Sequence, residues 1–121
     1  MTLLTVGIPV YNEETVLAEM AGKLNQLADS VSQDMEIIVS DNCSDDNSLA
    51  IAKVAFSDHV VTSQPRNVGF EQNVRVLVSA ANSTFIWILG AGDLPLGDLE
   101  KLMKTLNSLD GSTDLLLLGD S

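Results

Sequence analysis

The chain has 121 residues, 45% of them hydrophobic, and a formal net charge of -11, which suits one domain with its own core. That charge repels phosphate backbones and offers no polybasic face to anionic lipid, so nucleic acid is excluded as a partner. The single cysteine, Cys43, excludes an internal disulfide and a cysteine-built zinc site, and aromatics at 4% leave Leu, Ile, Val and Ala to build the core.

The first element is a strand over 2–8, with no basic leader before it and too short to span a membrane. A cytoplasmic location is expected, with peripheral attachment to the inner membrane face allowed. Pro9 follows; its missing N–H is expected to break the strand ladder. Tyr11 then offers a flat aromatic face and a hydroxyl, suited to stacking on a nucleobase or to ordinary packing in a turn. Asn12 is available to cap the next helix. That helix is expected over 15–28, with Leu17, Met20, Leu24 and Leu27 on one face at helical spacing.

A nearly continuous apolar strand over 36–40 leads into Asp41-Asn42-Cys43-Ser44-Asp45-Asp46. Ser44, Asp45 or Asp46 can cap a helix over 46–55. Capping does not require Asp41, and a carboxylate at a strand tip can accept a hydrogen bond from a base imide or a ribose hydroxyl. Cys43 has no base at hand, since the one histidine, His59, precedes another strand, so it reads as an inert thiol.

A brief strand over 60–63 ends at Gln64-Pro65-Arg66-Asn67-Val68-Gly69. Gly69 can take positive φ at a helix start. Arg66 reads either as a solvent-exposed turn residue or as a partner for phosphate. The following helix, 70–81, buries Val74, Leu77, Val78 and Ala81. A strand over 84–89 leads to Gly90-Ala91-Gly92-Asp93, where the glycines permit close backbone approach to a ligand and Asp93 is a hard oxygen donor for Mg2+ or Mn2+. This is not a dinucleotide fingerprint, because Pro95 occupies the third glycine position and the turn follows the fourth strand. A helix over 99–109 and a strand over 114–118 complete the series.

Five strands alternating with four helices predict an α/β fold, three layers in αβα order around a mostly parallel sheet. In such sheets ligands bind beyond the carboxyl ends of the strands, where the strand order reverses. Tyr11, Asp41 and Asp93 all fall at strand tips. An aromatic surface, a carboxylate for base or ribose and a carboxylate for a metal are the elements of a nucleoside diphosphate site.

Val6-Gly7-Ile8-Pro9-Val10-Tyr11-Asn12-Glu13-Glu14, the 36–46 strand with its acidic loop, Arg66-Asn67-Val68-Gly69-Phe70 with Asn73, and the 84–93 stretch resemble, in order and spacing, the inverting family 2 glycosyltransferases. The resemblance covers nearly the whole chain. It implies a GT-A fold (Rossmann-like) and a nucleotide-sugar donor. It implies Pro9, Tyr11, Glu13 and Asp41 around the nucleoside, with Asp41 bonding the base; Arg66 and Gly92 join the expected nucleotide site from their places after the third and fourth strands. It also implies a divalent metal, Mg2+ or Mn2+, on the diphosphate, sugar transfer to a carbohydrate or lipid-linked acceptor hydroxyl, and a place in polysaccharide biosynthesis.

Two departures qualify these expectations. The DxD positions read Gly90-Ala91-Gly92-Asp93. In one alignment both aspartates are glycine and Asp93 is the acidic residue that follows; in the other Asp93 is the terminal metal ligand. A motif so degenerate holds an ion weakly. No residue matches the family's catalytic base, so residues 1–121 are expected to form a single donor-binding domain lacking the acceptor half. The last strand would then pair with that half or with a second copy. The alternatives are a donor-binding module without transfer and an unrelated α/β binding domain. A receiver-like domain would want paired acids after the first strand and a lysine after the last, and has neither.

Overall fold

The computed structural model describes residues 2–30, 35–90 and 117–118. Its elements run β1 (Thr2–Val10), α1 (Leu17–Ser30), β2 (Met35–Asp41), α2 (Ser48–Ala55), β3 (Val60–Ser63), α3 (Phe70–Ala80), β4 (Ser83–Ile88) and β5 (Leu117–Leu118). The strands form one sheet in the order β3-β2-β1-β4-β5, every pair parallel. The chain therefore steps outward from β1 to β3, then crosses back to β4 on the other side of β1. That reversal puts the switch point between β1 and β4, as expected of a doubly wound α/β sheet. The helix expected over 99–109 and most of the strand expected over 114–118 lie outside the described residues.

The period-2 pattern of the strands separates two cores. Leu4, Val6, Ile8 and Val10 of β1 join Ile37 and Val39 of β2 and Phe85 and Trp87 of β4 on one face. There α1 presents Leu17, Met20, Ala21 and Leu24, and α2 presents Ala52, with Phe56 just beyond it. On the other face Ile38, Ile86 and Ile88 meet Leu77 of α3, with Val74, Val78 and Ala81 partly buried around them. Gly7 allows this second contact to be close. A Cβ there would stand 3.1 Å from Ile88 Cδ1 and 3.4 Å from Leu77 Cβ, so a side chain at this position would require Ile88 to give by a few tenths of an ångström.

Three expectations are corrected. The core is not purely aliphatic: Phe56, Phe85 and Trp87 all sit in it. Pro9 does not end β1, which continues to Val10 in register with Asp41 of β2. The hydrogen bonds give the reason. Gly7 C=O accepts from Leu89 N–H on the β4 side, whereas Val10 C=O accepts from Asn42 N–H on the β2 side. Alternation puts the missing N–H of Pro9 on the β4 side, past Gly7↔Ile88, where that ladder ends. Proline thus stops one ladder and leaves the other intact. Finally, α2 starts at Ser48 rather than Asp46, and its N-cap is Asn47, which makes no side-chain capping bond.

Candidate functional site

A cleft of about 420 Å³ opens at the carboxyl edge of the sheet, beside the switch point. Pro9, Val10, Tyr11 and Glu13 line it from the end of β1, Asn42 from the tip of β2, Asn67, Gly69, Phe70 and Asn73 from the start of α3, and Gly90 from the end of β4. Three of the residues singled out in the sequence, Pro9, Tyr11 and Glu13, all from the end of β1 and the turn that follows it, line the cleft. Asp41, at the tip of β2 in register with Val10, is 1% exposed and does not line the cleft. Its Oδ1 accepts from the Ser44 hydroxyl at 2.6 Å and its Oδ2 from the Ser44 N–H at 3.0 Å. Arg66 is exposed and does not line the cleft. Gly92 and Asp93 lie outside the described residues.

The loop carrying Tyr11 is held by the acidic loop after β2. Asn12 N–H donates to Ser44 Oγ at 2.9 Å, and Asp45 N–H donates back to Asn12 Oδ1 at 2.8 Å. Glu13 N–H donates to Ser48 Oγ at 2.8 Å, Glu14 N–H to Asp46 Oδ2 at 3.3 Å, and Asn47 N–H to Glu14 Oε2 at 3.1 Å. The turn residues Asn12 and Cys43 take positive φ, 54° and 60°, a region that asparagine tolerates better than most. Ser44, Asp45, Asp46 and Ser48 therefore serve chiefly to tie two loops together. Partial burial pushes the Asp46 carboxyl up, but hydrogen bonds from the Ser48 hydroxyl and from backbone N–H groups outweigh it and hold the group below its ordinary value. Tyr11 remains 42% exposed, with its hydroxyl 3.3 Å from Asp45 Oδ2.

The opposite wall is fixed by amides. Asn42 is buried. Its Oδ1 accepts from Val68 N–H at 2.9 Å, and its Nδ2 donates to Asn67 Oδ1 at 3.1 Å and to Gly69 C=O at 3.2 Å. Asn67 Oδ1 also accepts from Gly69 N–H at 2.8 Å. Gly69 caps α3 at φ 87°, a conformation that favours glycine. Deeper in, Asn73 accepts from Ser40 Oγ at 2.6 Å and donates to Ser40 C=O at 3.0 Å, while Gln64 Nε2 donates to Ser40 Oγ at 2.9 Å. No buried side-chain polar atom among the described residues lacks a partner.

Sequence reasoning did not assign a site role to Asn42, Asn73 or Phe70. Asn42 and Asn73 stood inside recognised stretches without a stated job. Phe70 carried an overlooked signal: it falls on the 70–74–77–81 stripe of α3, which faces the sheet, and yet is 69% exposed. Among the described residues no group of three or more His, Cys, Asp or Glu could hold a metal ion, and no helix is long and apolar enough to cross a membrane.

The sequence model of glycosyl transferase family 2 matches residues 5–114. The fold is similar to S. aureus TarS 1–349 in complex with UDP, at 20% identity and a TM-score of 0.74 over 88% of this chain and 32% of that one. It is also similar to glucosyl-3-phosphoglycerate synthase from Mycobacterium tuberculosis, solved with Mn2+, UDP and glucosyl-3-phosphoglycerate, at 19% identity and a TM-score of 0.61 over 74% and 33%. Mannosyl-3-phosphoglycerate synthase from Rubrobacter xylanophilus matches at 14% identity and a TM-score of 0.68 over 84% and 37%. At these identities the likeness is one of fold, and the chain spans about a third of each of those structures. No curated protein sequence gives a significant match.

Proposed function

We propose that this chain, which belongs to glycosyl transferase family 2, holds a nucleotide-sugar donor in the cleft beside the switch point, as one cytoplasmic donor-binding domain of a protein that transfers the sugar to an acceptor hydroxyl with inversion. The observation that carries the reading is one cleft at the carboxyl edge of the sheet, lined by Pro9, Tyr11 and Glu13 together with Asn42 and the start of α3, where doubly wound folds bind nucleotides. The UDP in the TarS structure and the Mn2+ and UDP in the glucosyl-3-phosphoglycerate synthase structure support it by analogy.

In this reading Tyr11 stacks on the base. Each Asp41 oxygen holds one hydrogen bond from Ser44 and keeps acceptor capacity for a base N–H. Arg66, exposed and outside the lining of the cleft, makes no contact with the donor in this reading, and Gly92 keeps only the diphosphate role expected of it from the sequence. The described wall of the cleft supplies amides and one carboxylate, Glu13, a donor set too poor in hard oxygen to build a cation site alone. A divalent ion would be held by Asp93 together with the donor's own phosphates. When bound, it supplies neutralisation of the charge that builds on the leaving diphosphate. The acceptor oxygen attacks the anomeric carbon, the bond from that carbon to the diphosphate oxygen breaks, and the acceptor's proton passes to a carboxylate base.

Titration calorimetry with UDP, GDP and dTDP, each with and without Mn2+, tests the proposal. At least one nucleotide is expected to bind, and Asp41→Ala is expected to weaken it in both conditions. A flat response to all three would refute the assignment.

A further inference from the structure

The sequence holds five Phe, Tyr and Trp residues. Phe56, Phe85 and Trp87 are buried in the core, whereas Tyr11 and Phe70 are exposed at 42% and 69%. Both exposed aromatics line the same cleft. Tyr11 reaches it from the end of β1 and Phe70 from the first residue of α3. Phe70 stands at helical spacing from Val74, Leu77 and Ala81, which pack on the sheet, yet it stays exposed at the rim of the cleft and also borders a shallower groove along the outer side of α3.

Its position is also fixed. The residues just before it, Asn67, Val68 and Gly69, are all bonded to the Asn42 side chain at the tip of β2. That latch holds the start of α3 on the β2 side of the cleft, beside Asp41. Gly90, which leads toward Gly92 and Asp93, lies across the cleft at the end of β4. The base end of a bound donor and the start of α3 therefore share one side, and the diphosphate end takes the other.

We infer that Phe70 is a second aromatic contact for the nucleobase, working with Tyr11. This rests on the donor-binding reading above and names a further binding residue within it. Flat apolar rings bind any base face, and truncating one such platform to alanine weakens binding by about fivefold to more than a hundredfold.

The test uses whichever of UDP, GDP and dTDP binds the full chain best, together with the matching nucleotide-sugar. Because Phe70 is exposed, Phe70→Ala leaves the melting temperature unchanged. It is expected to weaken the nucleotide and the nucleotide-sugar by the same factor, about fivefold or more, while Phe70→Trp stays close to wild type. The inference is overturned if Phe70→Ala binds the nucleotide as tightly as wild type, or if the loss is confined to the sugar-bearing donor. Absence of nucleotide binding by the wild-type chain would instead defeat the donor-binding reading itself.

Discussion

Asn42→Asp replaces one atom's chemistry and almost none of its volume, so it isolates the amide latch between β2 and α3. The wild-type side chain makes three hydrogen bonds: it accepts from Val68 N–H and donates to Asn67 Oδ1 and Gly69 C=O. A carboxylate keeps the first. The other two become contacts between acceptors, at 3.1 and 3.2 Å. Two lost bonds at about 1 kcal/mol each, plus the penalty for leaving buried acceptors unpaired, give a destabilisation of about 2–4 kcal/mol. The new carboxyl would be buried next to Asp41, while its partners on the α3 side, Asn67, Val68 and Gly69, are uncharged. Burial and two facing acceptors raise its folded pKa above the unfolded value of about 3.9. The stability carried by its protonated form is therefore fully present below the unfolded value and lost as pH rises through the folded one. Urea denaturation of both proteins should show the widest gap near neutral pH and a narrower one near pH 5. A loss below about 0.5 kcal/mol, the size of an ordinary surface change, or a gap that widens with acid, would refute the latch.

Ser48→Ala removes the acceptor of Glu13 N–H and one of the bonds on Asp46; it should cost about 1–3 kcal/mol in denaturant melts, and a neutral result would mean that the loop clasp is not structural. Burial lowers the His59 pKa against the opposing pull of Asp58, and the hydrogen bonds on Asp46 lower its own. Both folded values are depressed, so both contributions are present above the unfolded pKa and lost as pH falls through the folded one. Stability should decline first below about pH 6.5 and again below about pH 4, and His59→Gln should flatten the first decline; an unchanged slope in that variant would contradict the assignment.

Much of the fold was legible because its signals are local. The apolar runs at 36–40 and 84–89 mark strands covered on both faces, and the 17–20–24 and 74–77–78–81 spacings mark the helical faces that cover them. Pro9 was misjudged because its effect depends on which neighbour its N–H would have faced, a property of strand order. The aromatic core was missed because a low overall fraction says nothing of where the few aromatic residues go. At the site, Pro9, Tyr11 and Glu13 were findable as strand-end residues. The amide network of Asn42, Asn67 and Asn73 was not, because its pairs lie 25 to 33 positions apart and amides carry no charge pattern to betray them. Asp45 and Asp46, read from the sequence as helix caps, do more than that: Asp46 accepts from Ser48 N–H at the helix start but also from Glu14 N–H, and Asp45 accepts from the Tyr11 hydroxyl, so both hold the neighbouring loop.

The most direct measurement is a map of backbone amide shifts on adding a nucleoside diphosphate to the labelled chain. The account predicts changes concentrated at Tyr11, Glu13, Asn42, Gly69 and Phe70, with the outer surfaces of α1 and α2 silent. Changes centred on those helices, or spread without focus over the sheet, would contradict it.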